Sequence, residues 1–327
     1  MFKLCKKIFI GVLIFSLTIV ILFVAYHHVK NRFEKSHYSK ILGENLKFVN
    51  VNNKKMSCYV KGSGDNTIVL LSGFGTPSPI ANFMPLTEEL SKNYRVVVLE
   101  YFGYGFSDST NEIRSNENFV SEIRSALKEL KIDPPYVLMP HSFSGIYSMY
   151  YANKYPDEIA AIIGLDDSKP NQMKNNTAVT KHGYDKMKSF LGFYRIIDRF
   201  NKNYMEDMFF KGIDKNLYNE DLLNLMHKDF VWHYNTAPNL NEENMCYKNA
   251  SELFDVKYPE TLPVLSILCS KNAEKESLGW VKLHQDVISN PSIQKIEILE
   301  GRHYIHYNQV EAISTLTMDF LRCINYK

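Results

Sequence analysis

The sequence is short of net charge and has no metal-ligand spacing. Lys and Arg number 38 against 36 Asp and Glu, a formal charge of +2. That balance argues against a nucleic-acid binder. Five cysteines, an odd number, cannot all pair within the chain. Cys5, Cys58, Cys246, Cys269 and Cys323 form no CxxC. Zinc ribbons, thioredoxin-type redox sites and a disulfide framework therefore do not fit. There is no HExxH and no internal repeat, and no metal or cofactor is expected. With 15 Gly and 12 Pro among 327 residues, collagen-like and disordered chains are excluded. What is present is 45% hydrophobic and 13% aromatic residues. That is enough for one large α/β domain with an insertion, or for two ordinary domains.

One apolar run stands apart. Ile8 to Tyr26 carries no charge, and about 20 such residues cross a bilayer's hydrocarbon core. A cleaved signal peptide would have an apolar region of roughly 7–15 residues and a small-x-small site. Here Ala25-Tyr26-His27-His28 follows Val24, so the run reads as an uncleaved signal anchor. Residues 1–7 form a short tail, 8–26 the transmembrane anchor and 27–44 a polar linker. Lys3, Lys6 and Lys7 precede the run, and Lys30, Arg32 and Lys35 follow it, so the positive-inside rule discriminates little. The tiny Lys-rich tail favours an inside N-terminus and an extracytoplasmic domain. Five unpaired-looking cysteines sit less easily with an oxidising exterior.

From residue 45 onward, β-branched runs alternate with helical periods. Strands are expected at Leu46–Val51, Met56–Val60, Thr67–Leu71, Tyr94–Leu99, Tyr136–Met139, Ala160–Leu165, Pro263–Leu268 and Ile293–Leu299. Helices are expected at Pro85–Lys92, Asn116–Leu130, Ile146–Asn153, Trp280–Ile288 and Val310–Leu321. Such alternation means a mostly parallel sheet covered on both faces. Residues 170–255 break the pattern and read as a helical insertion. Its stripes, Phe190, Phe193, Tyr194, Ile197 and Phe200, then Leu222, Leu223, Leu225 and Met226, are most simply core packed toward the sheet. His227 and His233 read as surface or packing residues of this insertion.

The strand ending at Met139 runs into Pro140-His141-Ser142-Phe143-Ser144-Gly145 and a helix. Strand, tight turn and helix around a central Ser make a nucleophile elbow, which holds Oγ out at the sheet's carboxyl edge. The plainer reading is that Ser142 caps the helix. Pro140 stands where a small residue is usual and removes a backbone donor. Ser72-Gly73-Phe74-Gly75 follows an earlier strand. The N–H groups of Phe74 and Phe143 would together stabilise a developing oxyanion. Gly103-Tyr104-Gly105 hints at a nucleotide loop, but Asp108 occupies the third glycine position of GxGxxG. After the last strand, Gly301-Arg302-His303-Tyr304-Ile305-His306 supplies a general base. His303 is favoured and His306 is the competitor.

In these pieces the sequence resembles the lid-bearing α/β-hydrolase family over residues 45–325. Ser72–Gly75 matches the family's His-Gly-x-Gly turn, Gly103–Ser107 its Gly-x-Gly-x-Ser loop, Ser142 its elbow and His303 its histidine loop. The resemblance implies an α/β-hydrolase domain over 45–327, with residues 170–255 as a lid. It also implies the order nucleophile, acid, histidine. The acid departs from the usual place, where Asn272 stands. A family variant places it after the strand before the lid, which here is Asp166, with Asp167 as runner-up and Glu274 and Glu276 as outside choices. Either Asp could instead cap the lid's first helix. The reaction so implied is hydrolysis of an ester or related acyl bond by Ser142, His303 and Asp166. The expected partners are a lipid-like or small acyl substrate and the membrane, with no nucleic acid. Two alternatives remain: a non-catalytic membrane-tethered binding protein on the same scaffold, and a peptidase using Glu206 or Asp207 to hold a charged terminus.

Overall fold

The computed structural model describes residues 2–174, 183–201 and 203–324. Parts of the expected insertion (175–182 and 202), of the tail (Met1) and of the C-terminus (325–327) lie outside them. Eight strands form one sheet: β1 (Leu46–Val51), β2 (Lys54–Lys61), β3 (Thr67–Leu71), β4 (Arg95–Leu99), β5 (Tyr136–Pro140), β6 (Ile159–Leu165), β7 (Val264–Cys269) and β8 (Gln294–Leu299). Their order is β1-β2-β4-β3-β5-β6-β7-β8. β1 and β2 form an antiparallel hairpin, β2 runs antiparallel to β4, and all later pairs are parallel. The inner strands β3 to β7 are mostly apolar because both their faces are buried. Ile68 and Leu70 of β3 enter one core while Val69 and Leu71 enter the other, the period of two that a pleated strand imposes.

Helices cover both faces. They are α1 (Phe2–Leu42), α2 (Pro79–Leu90), α3 (Asn116–Glu129), α4 (Ser144–Lys154), α5 (Gly183–Phe190), α6 (Phe193–Phe200), a single turn α7 (Asn203–Met205), α8 (Glu220–His233), α9 (Ala237–Ser251), a short α10 (Ser270–Ala273), α11 (Trp280–Asp286) and α12 (Val310–Cys323). α3 starts where Ser115 Oγ accepts from Asn118 N–H, an N-cap that satisfies a free donor. α2 begins six residues before the expected Pro85. Pro79 takes the first helical turn and Pro85 lies inside. Proline is favoured in the first helical turn, and Pro79 rather than Pro85 holds that place.

Two further expectations are corrected. Residues 27–42 are not a separate linker. They continue α1, and His27, Glu34, Tyr38 and Leu42 are buried. The apolar stripe at Phe190, Phe193 and Phe200 is not core: these residues are 60%, 43% and 83% exposed. Only Tyr194 of that stripe is buried and Ile197 partly so, whereas Leu222, Leu225 and Met226 of α8 do enter the core. The reason is that the polar residues of α6 find partners inward, as described below.

Candidate active site

The sheet's order reverses around β3, so loops leaving β3 and β5 diverge to make a crevice at the strands' carboxyl ends. The elbow forms at the end of β5. Ser142 has φ 53°, a conformation disfavoured for a residue bearing Cβ and one often found at functional sites. Pro140 does not interrupt the sheet's edge, because the next residue, His141, donates its N–H to Leu71 O at 2.9 Å. Crowding explains the small residues around the turn. A Cβ on Gly145 would lie 2.5 Å from Ser168 O. Ser144 is buried, with Oγ bonded to Ser72 O and 3.0 Å from Tyr101 OH. That hydroxyl ties the elbow to the turn after β3.

The same turn lies directly against Ser142. A Cβ on Gly73 would meet Ser142 Cβ at 2.5 Å, so only glycine fits. Gly73 thereby brings the backbone of Phe74 beside the serine, while Phe143 is the residue just after it. Gly75 N–H donates to Tyr104 OH at 2.9 Å, and Tyr104 OH donates to Glu242 of α9 at 2.6 Å. The turn is thus fastened to the insertion.

His303 and Asp166 converge on Ser142. Ser142 Oγ lies 2.8 Å from His303 Nε2, and His303 Nδ1 donates to Asp166 Oδ2 at 2.7 Å. His303 is 38% exposed while Asp166 is fully buried. Asp166, after β6, has φ 44°. Its carboxylate also accepts from Cys269 N–H (3.0 Å), Trp280 Nε1 (2.8 Å) and Asn272 Nδ2 (2.6 Å). Burial would raise its pKa, but the hydrogen bond and charge of His303, with the Cys269 and Trp280 donors, hold it below the ordinary value.

The competitors lie elsewhere. Asp167 turns away from His303 to pair with Lys169 at 2.5 Å, with His284 3.5 Å off. His306 is buried, 2.6 Å from Asn82 Oδ1. Glu274 and Glu276 are exposed beyond β7, and Glu206 and Asp207 face solvent. His227 lies tilted against Phe210 near Asp198, and His233 is held at Gly105 O. The Gly103–Ser107 loop wraps a buried carboxylate rather than a phosphate. Glu100 accepts from Phe106 N–H at 2.8 Å and Ser57 OH at 2.7 Å, and a Cβ on Gly105 would strike it.

Sequence reasoning missed two groups. His141 is buried with its ring 4.7 Å from that of His303, and its Nε2 donates to His303 O at 3.0 Å. Its adjacency to Ser142 was the available signal. Trp280 and Asn272 as donors to Asp166 had none, since nothing local says which way a side chain after β7 turns.

Comparison with known proteins agrees with this architecture. The family model described as the α/β-hydrolase fold matches residues 66–207. The uncharacterized protein YbdG of Bacillus subtilis is 29% identical over 98% of both chains. The epoxide hydrolase VrEH1 of Vigna radiata superposes with a TM-score of 0.64 at 19% identity, covering 85% of this chain and 97% of its own. A thermophilic esterase of Thermogutta terrifontis gives 0.57 at 16%, covering 85% and 98%. At these identities the solved structures testify to fold. The chain has the α/β-hydrolase fold, and residues 66–207 match that family's model.

Proposed function

We propose that this protein is a serine hydrolase of ester or related acyl bonds. The observation that carries the reading is the continuous line Ser142 Oγ, His303, Asp166, with 2.8 and 2.7 Å between partners. His303 Nε2 takes the proton as Ser142 Oγ attacks a carbonyl carbon. Asp166 holds Nδ1–H and stabilises the imidazolium. The oxyanion formed is met by the N–H groups of Phe74 and Phe143. Collapse expels the alcohol or amine, which takes the proton from His303, and leaves an acyl-enzyme. Water then repeats the sequence and frees Ser142.

The structural neighbours carry different activities in their names, an epoxide hydrolase and an esterase. Fold alone therefore does not choose the reaction; a serine at the elbow with a histidine base favours acyl transfer. A peptidase gains little support, because Glu206 and Asp207 are solvent-exposed and no contact among the described residues ties them to Ser142, His303 or Asp166. The non-catalytic binding reading has no observation in its favour at the triad. α1 is long and apolar enough to cross a membrane, and a hydrophobic acyl substrate suits that location. In this reading the chain is a single-pass membrane protein with its catalytic domain outside. Lys35, counted among the outer charges, is drawn against Gly105 O at 2.8 Å. The charge left free beyond the membrane is correspondingly smaller.

The test is labelling of the full chain by a fluorophosphonate, beside Ser142→Ala, His303→Ala, Asp166→Asn and Asp167→Asn. Labelling lost with Ser142→Ala, strongly slowed with His303→Ala and Asp166→Asn, and kept with Asp167→Asn is the expected result. A folded parent that does not label would replace the hydrolase reading with the binding one.

A further inference from the structure

An amphipathic helix on a globular domain ordinarily turns its apolar stripe inward. α6 does the reverse. Phe193, Ile196 and Phe200, at helical spacing, are 43%, 43% and 83% exposed. Arg195, Asp198 and Tyr194 face in, beside Ile197. Arg195 forks onto Glu34 of α1 at 3.0 and 2.7 Å, Asp198 accepts from Lys228 at 2.6 Å, and Tyr194 packs edge-on to Phe230. α5 repeats the arrangement, with Tyr184, Met187 and Phe190 exposed. Six outward apolar or aromatic side chains on two successive short helices form a face that water does not favour.

The position of this face is fixed by α1. The α5–α6 turn closes on it at Gly192 (φ 77°), where a Cβ would lie 2.8 Å from His27 Cγ. Glu34 binds Arg195 and accepts from Trp232 Nε1 at 3.0 Å, so the junction is keyed rather than loose. Higher up, Ile19, Val20 and Phe23 of α1 line one groove with Met187, Leu191 and Phe193, about 490 Å³ in volume. Those three α1 residues belong to the apolar run ending at Tyr26. Ile19 lies seven residues below that end, about 10 Å of helix. Helices lying in a membrane interface sink their apolar faces by about 5–10 Å, a depth that fits. Lys186 and Arg199 are exposed on the same two helices, where they can reach phosphate headgroups.

We propose that the outward face of α5 and α6 is embedded in the acyl layer of the bilayer that α1 spans. The insertion over the site is then a second membrane contact, and α1 sets the domain's tilt and depth rather than acting as a tether. The occupant of the face and of the groove is lipid acyl chain. The proposal rests on α1 crossing a membrane, and it is independent of the catalytic reading.

The full chain is placed in phosphatidylcholine–phosphatidylglycerol vesicles whose acyl chains are brominated. Phe193→Trp and Phe200→Trp report the face, and Ile113→Trp, exposed on the loop before α3, is the control. Trp232 and Trp280 are buried and give a constant background. The expected result is fluorescence quenching about twofold or more above that control for both face variants, as for side chains at interfacial acyl depth. Quenching no greater than at Ile113→Trp would overturn the proposal. Protection from acrylamide without quenching by brominated lipid would mean that a second protein chain covers the face, and would overturn it equally. An alkaline wash that strips the chain from the vesicles would remove the anchor reading itself and the proposal with it.

Discussion

Asn272 Nδ2 donates to Asp166 Oδ2 at 2.6 Å, on the same oxygen that receives His303 Nδ1 at 2.7 Å. The amide stands at the place the family resemblance assigns to the acid, and here it donates to Asp166 instead. Asn272→Asp sets a second carboxylate against Asp166. Like charges at this distance cannot both ionise cheaply, so one carboxyl takes up a proton. The fluorophosphonate labelling rate is expected to fall, and its acidic limb to move to higher pH. Asn272→Ala removes a hydrogen bond to a charged group, worth about 1.5–3 kcal/mol, and is expected to slow labelling roughly tenfold without moving that limb. Labelling rates measured across pH separate the two variants.

Gly73 is held to glycine by Ser142 itself, since an added Cβ would meet Ser142 Cβ at 2.5 Å. Gly73→Ala must push the turn bearing Phe74 away from the elbow. Misplacing one oxyanion donor costs about 10²–10³ in rate, whereas overpacking costs about 1–3 kcal/mol of stability. The expected outcome is a labelling rate down about 100-fold in a protein that still unfolds cooperatively. Rate and denaturation midpoint are measured on the same preparation.

The strands were legible because each is a short apolar or alternating run between turn residues. Thr67–Leu71 coincides with β3, and Leu46–Val51 with β1. The elbow was legible because a strand running into a tight Ser-centred turn and a helix is a local pattern. The orientation of α6 was not. Periodicity suggests a stripe of Phe190, Phe193, Tyr194, Ile197 and Phe200, but only Glu34, 161 residues from Arg195 in sequence, decides which side turns in. The same distant pairing hid the helix at 27–42, whose polar residues read locally as a linker. Glu100 was equally silent, because its partners at Ser57, Ile80 and Phe106 meet only in the fold.

His141 and His306 are buried within one aromatic cluster, their rings 4.9 Å apart. Burial, then the charge of His303, lowers both, His306 to about 3 and His141 well below its ordinary value. The unfolded chain binds a proton near pH 6.5, about the free value for histidine, and the folded chain does not. Their stabilising share is therefore complete above about pH 6.5 and is lost as pH falls from there toward the folded values. Each histidine contributes a slope of up to about 1.4 kcal/mol per pH unit in that window. Stability from denaturant midpoints is expected to drop between pH 7 and 5. His306→Gln, which keeps a donor for Asn82, is expected to shallow the slope by about one proton. An unchanged slope would show that His306 is protonated in the fold.

Arg195 and Glu34 are only 11% and 10% exposed, and Glu34 also receives Trp232 Nε1. Breaking a buried pair from one side costs about 3–5 kcal/mol, because the remaining charge is stranded; residual exposure places this pair toward the low end. Arg195→Ala is therefore expected to loosen α6 from α1, with faster amide exchange over 27–42 and 193–200 and little change over the central strands. Arg195→Ala with Glu34→Gln removes the stranded charge along with the pair. The double variant is expected to recover part of the loss, and that recovery distinguishes an ion pair from simple packing by the arginine stem. If the double variant is no better than the single one, the hydrophobic contact of the stem against α1 holds the junction, and Glu34 is incidental to it.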